Sequence, residues 1–152
     1  MLPQPRLWFK NLIRSLGDTI EIRLARKNGI PIASILTLRH RSSVVYKYGC
    51  SDEKVHNLGG MPFLFWRMIE DSKAAGLERI DFGRSDLNGG GLVTFKDRFG
   101  TAKTLLTYYR YQHGYDGKIV ANWNSPAVRR VFSVLPNAVC SMAGRLLYRH
   151  VG

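Results

Sequence analysis

Acidic residues are scarce in this chain, and cysteine and histidine scarcer still. Its 152 residues carry 11 Asp+Glu against 23 Lys+Arg, a formal net charge of +12. The sequence pI is near 10.2. An excess of that size points to an anionic partner. RNA, coenzyme A, a nucleotide-linked sugar and acidic lipid headgroups all satisfy it, and charge alone does not choose among them. A generally basic proteome would produce the same excess with no specific partner. The two cysteines, Cys50 and Cys140, stand far apart with no second pair to build a metal knuckle, so they read as two buried thiols. His40, His56, His113 and His150 are scattered, with no Cys, Asp or Glu at ligand spacing, and no metal site is expected. No apolar run approaches the roughly 18 residues that span a bilayer. Pro3, Pro5 and Arg6 precede only a brief apolar stretch, which lacks the apolar core of a signal peptide. The expected location is the cytoplasm.

What is present is enough for one folded domain. A hydrophobic fraction of 45% with 11% aromatics excludes a disordered chain. Residues 5–17 place Leu7, Trp8, Leu12 and Leu16 at helical spacing before Gly17, the pattern of a short amphipathic helix. Ile20, Ile22 and Leu24 then alternate with Glu21 and Arg23, and Asn28-Gly29 supplies a hairpin turn. Residues 31–39 and 43–48 give two further strands. Pro62 falls in the first turn of a helix that Gly76 closes. Residues 78–82 read as a fourth strand, 92–99 as a helix and 103–112 as a fifth strand. Residues 113–152 form a helical tail that Pro136 breaks in two. The expected fold is α/β (α+β), a mixed and mostly antiparallel sheet flanked by helices. Its parts are an N-terminal helix over 1–19, a core over 20–112 and the tail over 113–152.

The stretch from Ile80 to Gly100 carries the chemistry. A strand end, Ile80-Asp81-Phe82-Gly83-Arg84, leads through Ser85 and Asp86 into Gly89, Gly90 and Gly91, and then into a helix bearing Phe95 and Lys96. Glycines let a backbone approach a ligand, and the free amides of a helix start favour negative charge. Such a segment presents backbone amides and a cation to an anionic or carbonyl-bearing group. Lys96 is the candidate to grip that group and stabilise negative charge on it, against the plainer reading of one more solvated cation. Asp81 is the candidate proton acceptor, or else a strand-end carboxylate bonded to loop amides. Arg84 would clamp a phosphate or pair with Asp81 or Asp86, and Ser85 is a weaker polar contact. Tyr46 and Tyr108 offer hydroxyls from flanking strands.

Together with Gly29-Ile30-Pro31, Tyr46-Lys47-Tyr48-Gly49-Cys50 and Leu106-Thr107-Tyr108-Tyr109, these residues resemble the Fem-type (FemAB-like) aminoacyltransferases of the GNAT acyltransferase superfamily. The likeness runs over residues 20–152 and extends to FemAB-like proteins of exopolysaccharide and exosortase loci. It implies a GNAT domain that moves an aminoacyl or acyl group onto an amine of a cell-envelope or exopolysaccharide precursor. In those enzymes the Phe-Lys pair lies at the aminoacyl end of the donor tRNA, which carries over to Phe95 and Lys96. The basic Gly-x-Gly signature for coenzyme A is not cleanly present, Gly89-Gly90-Gly91 being nearest. The donor is therefore aminoacyl-tRNA or acyl-CoA, with no tightly bound cofactor. Fem-type enzymes carry two GNAT-like domains and this chain resembles the second. The chain is then a truncated product, pairs with an N-terminal half on another chain, or works alone, and the rival reading is a non-catalytic half that binds RNA or a partner. The basic amphipathic residues 128–151 would suit peripheral contact with an anionic membrane.

Overall fold

The computed structural model describes residues 4–86 and 90–109. The chain divides into two compact units, one of residues 16–104 and one of residues 1–15 with 105–152. These limits differ from the boundaries at 19/20 and 112/113 read from sequence. Helix α1 (Arg6–Leu16) lies in the second of these units apart from its last residue, and none of its residues is buried. The helix stops where Gly17 turns to a φ of 50°.

The larger unit begins with the expected meander, β1 (Ile20–Lys27), β2 (Ile30–His40) and β3 (Ser43–Ser51), each strand antiparallel to the next. Asn28 and Gly29 join β1 to β2 at φ of 50° and 80°, the two-residue geometry whose twist matches its flanking strands. The chain then crosses through a 3-10 turn (Glu53–Leu58) and α2 (Gly60–Ala74) to a three-residue strand, β4 (Arg79–Asp81). β4 runs parallel to β3 and completes a mixed four-stranded sheet of order β1-β2-β3-β4. Ser42 anchors the start of β4, its carbonyl accepting the Glu78 N–H at 2.9 Å and its hydroxyl meeting the Glu78 carboxylate at 3.0 Å. The fold class is the one the sequence indicated.

Apolar positions at helical spacing turn one face of α2 to the sheet, so that Leu64, Phe65 and Met68 pack on Ala25, Ala33, Ile35 and Val44. A Schellman motif ends α2: the Leu77 N–H reaches the Ser72 carbonyl at 2.9 Å and the Gly76 N–H reaches Lys73 at 3.0 Å. Arg23 of β1 ties the far end of α2 to the sheet through Asp71, at 3.4 Å.

Three expectations are corrected. Residues 101–109 form neither helix nor strand, and residues 110–112 lie outside the described residues. Leu, Thr and Tyr favour strands, but a strand forms only against a neighbour, and Leu105 is 82% and Tyr109 92% exposed. The helix expected at 92–99 starts earlier, as α3 (Gly90–Asp97), so two of the loop glycines are helical. Cys50 is exposed rather than buried, because it stands on β3 well past the end of β4. Cys140 and the tail at 113–152 lie outside the described residues.

Candidate active site

A mismatch of strand lengths builds the site. β3 has nine residues and β4 three, and the two pair only at Ser43↔Arg79, Val44↔Ile80 and Val45↔Asp81. Beyond Val45, no described strand pairs with β3 on that side. On its other side β3 stays paired to β2, with one irregularity: Thr37 faces Tyr46 and Leu36 faces Tyr48, which leaves Lys47 as a bulge. The start of α2 follows the carboxyl end of this half-free strand. Gly59 precedes it in the left-handed conformation, and the first turn holds no acidic residue. Pro62 has no N–H to leave unsatisfied, so Gly60 and Met61 carry the free amides of that end.

Tyr46 is the first β3 residue past the paired segment. Its ring packs on Phe65 at 4.7 Å between centroids, and its hydroxyl lies over Gly49, where a Cβ would collide with it and meet the Met61 methyl at 2.9 Å. Burial pushes the phenol above its usual value of 10.0, and the neighbouring Cys50 adds to the rise. Tyr46 is therefore a protonated, half-buried donor at neutral pH.

Across from it, β4 ends in a tight turn. Asp81 Oδ1 accepts the Gly83 N–H at 2.7 Å, and Gly83 adopts a φ of 72°. A Cβ at Gly83 would stand 3.0 Å from the Tyr46 carbonyl oxygen, so only glycine lets the two strand ends come this close. Lys96, on α3, is 7% exposed. Its Nζ donates to the carbonyls of Gly83 at 2.6 Å and Arg84 at 3.2 Å. Burial lowers the Lys96 pKa, and the Asp81 carboxylate partly offsets this. Phe95 packs on Phe65 and Phe99, at 5.2 and 5.3 Å, and Phe82 also contacts Phe65, at 5.2 Å. These rings seat α3 on α2. Ser85 Oγ is buried without a hydrogen-bond partner.

The structure thus gathers Tyr46, Asp81, Arg84, Ser85, Phe95 and Lys96 around one end of the β3–β4 pair. Lys96, read from sequence as the oxyanion stabiliser, turns its ammonium to the backbone carbonyls of Gly83 and Arg84. Gly90 and Gly91 stand in the first turn of α3 with open space where a Cβ would sit and no positive φ. They therefore need no left-handed backbone, and Gly89 lies outside the described residues. Tyr108 belongs to the other compact unit. Sequence reasoning missed Gly59-Gly60 and the exposed Cys50. A Gly-Gly pair just before Pro62 was a readable helix-start signal, whereas the exposure of Cys50 depends on where β4 stops. Among the described residues no three His, Cys, Asp or Glu side chains converge as metal ligands, and no helix is long and apolar enough to cross a membrane.

The family model described as "Acetyltransferase (GNAT) domain" matches residues 2–97. No curated protein sequence matches the chain. Among solved structures, a mutant of the BH1408 protein from Bacillus halodurans has a TM-score of 0.56 at 16% identity, covering 69% of this chain and 73% of that one. The aminoglycoside acetyltransferase meta-AAC0020 from an uncultured soil metagenomic sample, in complex with trehalose, has a TM-score of 0.55 at 10% identity, with coverage of 68% and 74%. The aminoglycoside N-acetyltransferase AAC(6')-Iy, in complex with CoA, has a TM-score of 0.53 at 14% identity, with coverage of 71% and 90%. At these identities the likeness is one of fold.

Proposed function

The chain belongs to the GNAT acetyltransferase family, and from that premise we propose that it moves an acyl group from acyl-CoA to an amine. The observation that carries this reading is the edge of β3 that no described strand pairs beyond Val45. The pantetheine arm of coenzyme A is an extended chain with two amides, and such a chain can pair with a free strand edge as an added strand would. The amides opening α2 and the positive end of its dipole then suit the pyrophosphate. The CoA complex of a structural neighbour supports the same donor.

In the proposed reaction the amine nitrogen attacks the thioester carbonyl, a tetrahedral oxyanion forms, and the thiolate leaves. Tyr46 supplies a proton to that thiolate, since its phenol is held protonated. Asp81, exposed at the strand end, takes the amine proton. No covalent enzyme intermediate is invoked. Titration calorimetry with acetyl-CoA tests the donor, and thiol release with a panel of primary amines tests transfer. Saturable binding with amine-dependent release is expected. Absence of binding refutes the donor assignment.

A second reading keeps the Fem-like donor. Asp81, Phe82, Gly83, Phe95, Lys96 and Phe99, which carry the Fem-type resemblance, are gathered in one corner. That favours an aminoacyl-tRNA donor and a cell-envelope or exopolysaccharide amine as acceptor. The charge of +12 suits tRNA, and such binding should weaken steeply with salt. Under this reading the protein works on the cytoplasmic side, against the anionic membrane surface, with an N-terminal GNAT-like half supplying acceptor recognition. Charged tRNA, but not acetyl-CoA, would then raise the melting temperature.

A further inference from the structure

We propose that Lys96 is a positioning residue: it fixes the backbone of Gly83 and Arg84 beside the free edge of β3 and presents Ser85 to the donor. The inference rests on the acyltransferase reading above and goes further in assigning how the wall opposite β3 is held. A buried ammonium normally finds a carboxylate. Lys96 makes no ion pair among the described residues and spends its hydrogens on the Gly83 and Arg84 carbonyls instead. Such bonds to a charged donor are stronger than neutral ones, so two successive peptide units are pinned by one side chain.

Planar trans peptides convert that pinning into direction. In each unit the N–H points opposite to the C=O. With both carbonyls turned toward Lys96, the N–H groups of Arg84 and Ser85 are turned away from it. Ser85 forms no hydrogen bond through its N–H with any described residue, and its Oγ is buried without a partner. Two unspent donors thus lie immediately after the clamp, the N–H and the buried Oγ of Ser85. Both sides of the clamp are firm. Gly83 abuts the Tyr46 carbonyl in front, and behind it Phe95 and Phe99 hold α3 on Phe65 at 5.2 and 5.7 Å. Lys96 acts through the loop it holds, without touching the reacting atoms.

The test compares wild type, Lys96→Met, Lys96→Arg and Ser85→Ala. Amide hydrogen exchange reads the clamp without any ligand. In Lys96→Met, exchange of the Gly83 amide, which Asp81 Oδ1 accepts, should quicken at least about tenfold, the effect of losing one charge-assisted bond, with β1–β3 and α2 unchanged. Calorimetry with acetyl-CoA reads the positioning: affinity should fall about tenfold or more in Lys96→Met and recover in part in Lys96→Arg, which restores the charge. Unchanged exchange overturns the clamp. Equal acetyl-CoA affinity in wild type and Lys96→Met overturns the positioning role. If Lys96→Met does not fold, Ser85→Ala decides, with weaker binding expected at an unchanged melting temperature and wild-type binding counting as refutation. A wild-type protein that does not bind acetyl-CoA refutes the donor assignment and takes the positioning role with it, whereas the exchange difference is scored on its own.

Discussion

Replacing Gly83 by Ala puts a single methyl group where the site's two walls meet. At a φ of 72°, a residue with a side chain pays about 1–2 kcal/mol for the left-handed conformation. The new Cβ would also stand 3.0 Å from the Tyr46 carbonyl oxygen. That oxygen belongs to backbone fixed opposite Thr37 in the β2 ladder, so it cannot retreat, and overpacking of this kind costs about 1–3 kcal/mol. Alanine's lower unfolded-state entropy returns about 0.4–1 kcal/mol. The net loss is about 1–4.6 kcal/mol, centred on about 3 kcal/mol, which at ordinary urea slopes lowers the unfolding midpoint by about 1–3 M. Gly90→Ala is the control. It stands in the first turn of α3 with nothing within 4 Å and no positive φ, so it should be neutral or stabilising by up to about 1 kcal/mol. A Gly83→Ala protein as stable as wild type, or a Gly90→Ala protein equally damaged, would refute the close approach of the two strand ends.

Two further outcomes test Tyr46 and the free edge of β3. Because the folded pKa of Tyr46 is raised above its unfolded value of 10.0, its contribution to stability is complete below pH 10 and is lost as pH rises through the folded pKa. Ultraviolet titration should accordingly show one late-ionising tyrosine that disappears in Tyr46→Phe, and an unchanged titration counts against the burial. Cys50 is exposed on the same edge, so it should react with a thiol reagent in the native protein and be shielded by acetyl-CoA. Equal labelling with and without acetyl-CoA places the donor elsewhere.

Local pattern made part of this structure legible. The alternation from Ile20 to Leu24, the Asn28-Gly29 turn and the run from Pro62 to Gly76 each encode their element within a few residues, and the structure has them in place. The cluster of Tyr46 with Asp81, Arg84 and Lys96 was foreseeable as a set but not as a geometry. Whether Lys96 meets solvent or two carbonyls depends on where the chain turns after Asp81, a tertiary outcome with no short-range signature. The same holds for Cys50, whose exposure follows from the three-residue length of β4. At 103–109, strand propensity was read correctly but no neighbouring strand pairs with it among the described residues.

The Ser42 anchor has a kinetic consequence. β1, β2 and β3 are joined by turns of a few residues, so their ladders close small loops and can assemble early. Ser42 and Glu78 are separated by 36 positions, and only three residue pairs reward closure of that larger loop. The corner holding β4, Gly83 and α3 should therefore dock last and open first, at a free energy below that of global unfolding. A donor that binds only the docked corner would slow that opening, so ligand occupancy should be measurable as a lengthened lifetime of one local segment while the meander keeps its own.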